Sequence, residues 1–381
     1  MKKLYPYLLP ALLVSFYLSE GFGKLYYLFT WDRSLFQIAT KLLILPIIIP
    51  HLIKSKKQLI LIPSVVLCFI IGQLLIDNGL GTNILINSAK YIYFLIFLSF
   101  FSYNKDACIN GNWQLSLEAI AIINSILILI GFIFKLTFFE SYTGDRFGYN
   151  GLLISSATSS YFHFFVLGYF FIKLKDNFLK NYKVLFVIAT SLLIGTKSTY
   201  LLNFIFIFAY LFFFISSYKI KFYGLLLLAI IFICFSYYVL FVWPIFQSIV
   251  TERGISYAIL SDRNQIFMSE TLPFLKEKWN IINFLFGGID NIAMRPQLGL
   301  FDLFLFFGVI GSSLFLYSLY ISFFKKLKLK VLSVFLICII SLLIFMTGNF
   351  FINTSVCIYS VALFYAFLKY GDNEITNNKM I

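Results

Sequence analysis

Five arginines, Arg33, Arg146, Arg253, Arg263 and Arg295, are the residues of this chain best suited to grip an anion. A guanidinium meets phosphate with a planar fork of parallel hydrogen bonds, whereas lysine offers a point charge. Four sequence clusters could use this chemistry. The first is Gly144-Asp145-Arg146-Phe147-Gly148-Tyr149-Asn150-Gly151, where glycines allow close backbone approach to a ligand and Arg146 supplies the fork. Its bland alternative is an Asp145–Arg146 surface pair on a turn. The second, Leu193-Ile194-Gly195-Thr196-Lys197-Ser198-Thr199-Tyr200, sets Lys197 among hydroxyls at a helix start, a natural anion site or a plain hydroxyl-rich turn. It looks like the end of a P-loop but lacks that motif's first glycine, so nucleotide binding is rejected. The third is Arg253 and Arg263, each beside a carboxylate, Glu252 and Asp262, with which it could form a structural ion pair. The fourth runs from Gly287-Gly288 through Arg295-Pro296-Gln297 and Asp302 to Gly308 and Gly311. Here the Asp302 carboxylate could be a general base, an orienter of arginine or an interfacial residue.

Other chemistry is poorly supplied. His51 and His163 lie at the end of one apolar run and inside another, and both read as packing residues. No DxD-like pair occurs in the segments that carry the arginines, so no metal and no cofactor is expected. Cys68, Cys234, Cys338 and Cys357 fall in apolar runs and Cys108 in a short polar one, without disulfide or metal spacing.

The elements that must position these residues are membrane helices. The chain is 61% hydrophobic with 12% charged residues and a mean hydropathy of +0.91. Apolar windows able to cross about 30 Å of hydrocarbon fall near 4–20, 34–53, 59–76, 84–102, 117–139, 152–172, 183–196, 199–217, 222–241, 300–324, 331–347 and 350–368. The expected fold is therefore all-α, a polytopic membrane protein of about twelve transmembrane helices. Residues 1–381 form a single integral membrane domain, with 242–299 as one long loop inside it. That loop interleaves Ile266, Phe267, Phe274, Leu275, Trp279, Ile282 and Phe286 with charges, predicting short amphipathic helices that lie on the membrane or cap the bundle. The N-terminus has the charge and apolar core of a signal but no small-x-small cleavage site, and is expected to stay as the first helix.

Lysine bias orients the chain. With the N-terminus inside, the inner segments hold eighteen cations, all lysine. The outer ones hold Lys24, Lys197, Lys276, Lys278 and all five arginines. Short lysine clusters between apolar runs also explain the net charge of +14 without nucleic acid. Lys41, Lys90 and Lys135 fall within the windows, in their outer halves. Lys135 is expected to snorkel to the headgroups, and Lys41 and Lys90 to face a polar cavity.

GDRFGYNG, LIGTKSTYLL, SDRNQIF with LFGGI, and QLGLFDLFLFFGVIGSSLF together resemble the loop and helix-start motifs of the bacterial O-antigen polymerase family. Lys197 stands where that family usually carries arginine. The histidine typical of the related ligases does not occur in 242–299. The resemblance implies a metal-independent glycosyltransferase of the bacterial inner membrane whose active site faces the periplasm. Its substrate would be an undecaprenyl-diphosphate-linked oligosaccharide, whose glycan passes to the non-reducing end of a second lipid-linked repeat unit. Membrane lipid and a chain-length regulator protein are the implied partners. On this reading Asp302, Arg263 and Arg295 are catalytic, with Asp262 a second candidate base. Arg146, Lys197, Arg253, Lys41 and Lys90 bind the diphosphate or the rest of the substrate. The competing expectations are an O-antigen ligase and a lipid-linked oligosaccharide flippase, although no internal repeat supports the latter.

Overall fold

The computed structural model describes residues 5–30, 36–52, 55–76, 80–142, 146–260, 263–327 and 330–371. Arg33, Gly144, Asp145 and Asp262 lie outside these residues, as does the side chain of His51. Among the described residues no strand forms, only one isolated bridge between Glu140 and Tyr149. Long apolar stretches leave the backbone no water to bond, and the helix satisfies it internally.

The helices in chain order are α1 Tyr5–Thr30, α2 Phe36–Leu52, α3 Lys56–Gln73, α4 Thr82–Tyr103, the single turn α5 Lys105–Cys108, and α6 Trp113–Phe134. Then come α7 Ser156–Leu174, α8 Tyr182–Ser191, α9 Lys197–Phe214 and α10 Tyr218–Tyr237. Five short helices follow, α11 Pro244–Arg253, α12 Ile255–Leu260, α13 Arg263–Ile266, α14 Leu272–Lys278 and α15 Ile281–Phe286. The chain closes with α16 Gly299–Ser322, α17 Val331–Thr347 and α18 Thr354–Tyr370. Among the described residues seven helices are long and apolar enough to cross a membrane: α1, α3, α4, α6, α9, α10 and α16. The pair α7 and α8, bent by 97° at their junction, makes an eighth if it is one broken span. Helices α2, α17 and α18 are apolar but only 17 residues long.

Burial sorts the helices from centre to rim. Every residue of α7 from Thr158 to Ile172 is buried, as is every residue of α18 from Thr354 to Phe367. Aromatic edges lock this centre, with Phe162 on Tyr359 at 4.9 Å and Tyr161 on Phe350 at 5.1 Å. Helix α10 has no buried residue and forms the rim.

The stretch expected as one long loop holds α11 to α15. Pro244 occupies the first turn of α11, where its missing N–H costs nothing. Trp279, Phe274 and Leu275 bury themselves against Ile76, just past α3, and Leu305 of α16, so α14 and the turn after it pack onto the bundle. Helix α16 breaks at Gly308 (φ 62°, ψ −169°) because the end of α15 inserts there. A Cβ on Gly308 would run into the backbone of Leu285 and Phe286. Gln73 fixes the same junction, donating to the Ile289 carbonyl at 2.7 Å and accepting from its N–H at 3.1 Å.

One boundary differs from expectation with consequences for the site. The first window ends near residue 20, and Lys24 is expected in an outer segment. Helix α1 instead continues to Thr30, so Glu20 and Lys24 lie within it, 1% and 6% exposed. Hydropathy counts each charge against a helix and has no way of crediting partners that arrive from elsewhere in the chain.

Candidate functional site

Two of the four sequence clusters are built as one unit. Gly148 (φ 153°) and Gly195 (φ 73°) let two backbone segments touch, Gly148 against Ile194 and Gly195 against Phe147. Side chains at either position would hold the segments apart. The contact is fastened by the Tyr149 N–H to the Leu193 carbonyl at 2.8 Å and by Ser141 Oγ to the Ile194 carbonyl at 3.0 Å. Arg146 and Lys197, 51 positions apart in sequence, therefore come to the same end of the bundle.

There they line a polar cavity of about 80 Å³ together with Tyr142, Ser160, Arg263 and Thr347. Arg146 stacks its guanidinium on the Tyr142 ring, 3.7 Å from its centroid. Among the described residues its buried Nε has no hydrogen-bond partner, a costly condition that a ligand oxygen or water would relieve. Lys197 lies over the Phe246 ring at 4.9 Å and donates to the carbonyls of Ala258 and Ile259, the latter at 3.2 Å. Arg263 donates to the Thr347 carbonyl at 3.0 Å. Burial lowers the Arg263 pKa from its ordinary value, and Tyr161, Asp302 and Tyr142 push it back up. Hydroxyls complete the wall: Ser160 meets Ser198 at 2.7 Å and Thr196 at 3.1 Å, while Thr196 caps α9 through the Thr199 N–H. Cations and hydroxyls without a carboxylate among the described lining residues give the cavity the chemistry suited to an anion.

The remaining sequence candidates lie elsewhere. Arg295 and Asp302 form a buried pair with 3.9 Å between charged atoms and do not line the cavity. Asp302 is 1% exposed, and its charge is felt by Arg263, Tyr91 and Tyr161, so it stands behind the cavity wall. Arg253 is exposed on α11 and donates to Gln265 at 3.0 Å. Lys41 and Lys90 are half-buried on α2 and α4, with Lys41 within electrostatic range of both Lys90 and Glu20 and Lys90 3.3 Å from Asn87. Neither lines the cavity. Lys135 is exposed at the end of α6, and His163 is buried with Nδ1 2.8 Å from the Ser159 carbonyl.

Sequence reasoning passes over Tyr142, Ser160 and Thr347, which line the cavity, and over the pairing of Glu20 and Lys24 with the back of the Arg146 segment. A lone carboxylate at the end of the first apolar window and a lone lysine one helical turn beyond it are the signal that could have found Glu20 and Lys24, since intramembrane charges normally face partners. Glu118 is a second such carboxylate, held by Lys173 at 2.6 Å and Lys183 at 2.7 Å where α6, α7 and α8 meet.

A second cavity, apolar and about 170 Å³, runs between α16, α17 and α18. Its walls extend from Leu300 and Ile344 to Phe324 and Leu327. Ile344 of this cavity lies less than one turn from Thr347 of the cationic cavity, so both cavities draw on the same end of α17. No protein-family model matches this chain, and no curated protein or solved structure is significantly similar to it.

Proposed function

We propose that the chain is an O-antigen polymerase of the bacterial inner membrane, crossing it about twelve times with the 242–299 segment in the periplasm. The observation that carries this reading is the convergence of Arg146, Lys197 and Arg263, from three separate segments, on one hydroxyl-lined cavity. Lysine bias supports a periplasmic position for that end of the bundle. The apolar cavity that shares the end of α17 suits the polyprenyl tail of a lipid-linked substrate.

In this reading the diphosphate of the donor enters the cationic cavity. The acceptor sugar hydroxyl forms a new bond to the anomeric carbon as the bond from that carbon to the diphosphate breaks, and the hydroxyl proton passes on balance to the departing diphosphate or to water. Negative charge grows on the departing diphosphate, and preorganised donors aimed at it lower the barrier. Arg146 and Arg263 supply forks and Lys197 a point charge. Of the roles open to Asp302 the orienter of arginine fits its place best, because the carboxylate faces Arg295 and not the cavity.

Deleting the gene and resolving the surface polysaccharide by electrophoresis tests the proposal. A single repeat unit on the surface lipid, restored to long chains by the wild-type gene, is the expected result. Lipid carrying no repeat unit would instead identify a ligase or a flippase.

A further inference from the structure

We infer that Glu20 and Lys24 are positioning residues that hold the Arg146-bearing segment against the cavity. Residues 146–154 run without regular structure between Phe139 and α7, and such a stretch would be expected to move. It is instead anchored from behind at successive positions. Lys24 donates to the Asn150 side-chain oxygen and, at 2.9 Å, to the Gly151 carbonyl. Asn124 on α6 accepts the Leu152 N–H at 3.2 Å and is itself held by the Tyr17 hydroxyl at 3.1 Å. Glu20 accepts the Ile154 N–H at 2.9 Å through one oxygen and the Ser355 hydroxyl through the other. The carboxylate thus ties the segment to the start of α18 as well as to α1.

Charge is an expensive way to glue helices, since apolar side chains of similar size would pack the same space without desolvating an ion. What Glu20 and Lys24 add is direction, because each is aimed at specific backbone or amide atoms of one segment. Arg146 lies four residues before Asn150, and the Gly148–Gly195 contact passes the segment's position on to the Lys197 turn. This inference rests on the anion-site reading above for its functional consequence, but the anchoring is independent of it.

The test uses the full chain in lipid nanodiscs, with Lys24→Met, Lys24→Arg, Glu20→Leu and Glu20→Gln. Backbone hydrogen exchange and the affinity for inorganic pyrophosphate are both measured. In Lys24→Met and Glu20→Leu, exchange across residues 148–154 should accelerate about tenfold or more while α7 and α18 keep wild-type protection. Pyrophosphate binding should weaken about tenfold in step with it. Lys24→Arg and Glu20→Gln, which keep a donor and an acceptor, should recover most of both. Unchanged exchange in 148–154, or acceleration spread over the whole bundle, would overturn the inference. So would local loosening with wild-type pyrophosphate affinity. A wild-type protein that binds no pyrophosphate would overturn the anion-site reading alone, with exchange still deciding the anchoring.

Discussion

Arg146 and Arg263 reach the cavity with different constraints, one stacked on Tyr142 and the other tied to the Thr347 carbonyl. On the proposed function, replacing either by alanine removes a charge-assisted donor from the departing diphosphate. Chain extension should then fall by about 100-fold or more, with protein abundance near normal. Lysine at either position should rescue poorly, because it cannot reproduce a bidentate fork. Long chains from both alanine variants in the electrophoretic assay would return these arginines to structural duty. Asp302 calls for a different expectation. Asp302→Asn leaves Arg295 buried without its counter-charge, and breaking such a pair costs on the order of 3–5 kcal/mol. A lowered melting temperature in detergent should therefore accompany lost activity, whereas Asp302→Glu should retain part of both. Lost activity at an unchanged melting temperature would restore Asp302 to the role of general base.

Glycine decides how the elements meet. At Gly308 the backbone is left-handed and a side chain would strike Leu285 and Phe286, so the break in α16 depends on this residue. Gly308→Ala should destabilise the protein by about 1–3 kcal/mol, read as a lower thermal midpoint, and unchanged stability would show that α16 can straighten. The apolar helices were largely legible because hydrophobic runs of spanning length leave the backbone few options. The end of α1 was not, because Glu20 and Lys24 look like a polar boundary until the 150–154 segment arrives to pair with them. Arg146 and Lys197 could each be singled out from glycine and hydroxyl neighbours. Nothing local foretold that Gly148 and Gly195 would bring them together, since that contact joins residues far apart in the chain. The Arg295–Asp302 pairing was within reach at seven residues' separation, but its burial behind the cavity wall depends on how α16 packs.

At the scale of the whole molecule, the cavity and the capping helices share one end of the bundle, and the proposed function requires that end to face the periplasm. Ser269 is exposed in the capping region, and Asn110 is exposed in the short polar stretch between α5 and α6. Ser269→Cys should react with a membrane-impermeant thiol reagent once the outer membrane is permeabilised. Asn110→Cys should react only after the inner membrane is opened. The reverse pattern would place the cationic cavity in the cytoplasm and remove the basis for a periplasmic transferase.

The hold of Lys197 on the carbonyls of Ala258 and Ile259 carries a thermodynamic corollary. Those carbonyls belong to the last turn of α12, where helix oxygens lack partners of their own. An anion that draws Lys197 toward itself must compete with them, so occupancy of the cavity and docking of α12 become linked quantities. By reciprocity, whatever loosens α12 frees the lysine and tightens the grip on the anion by the same factor. The capping segment is in this sense a second ligand of Lys197, already bound, against which any incoming anion is weighed.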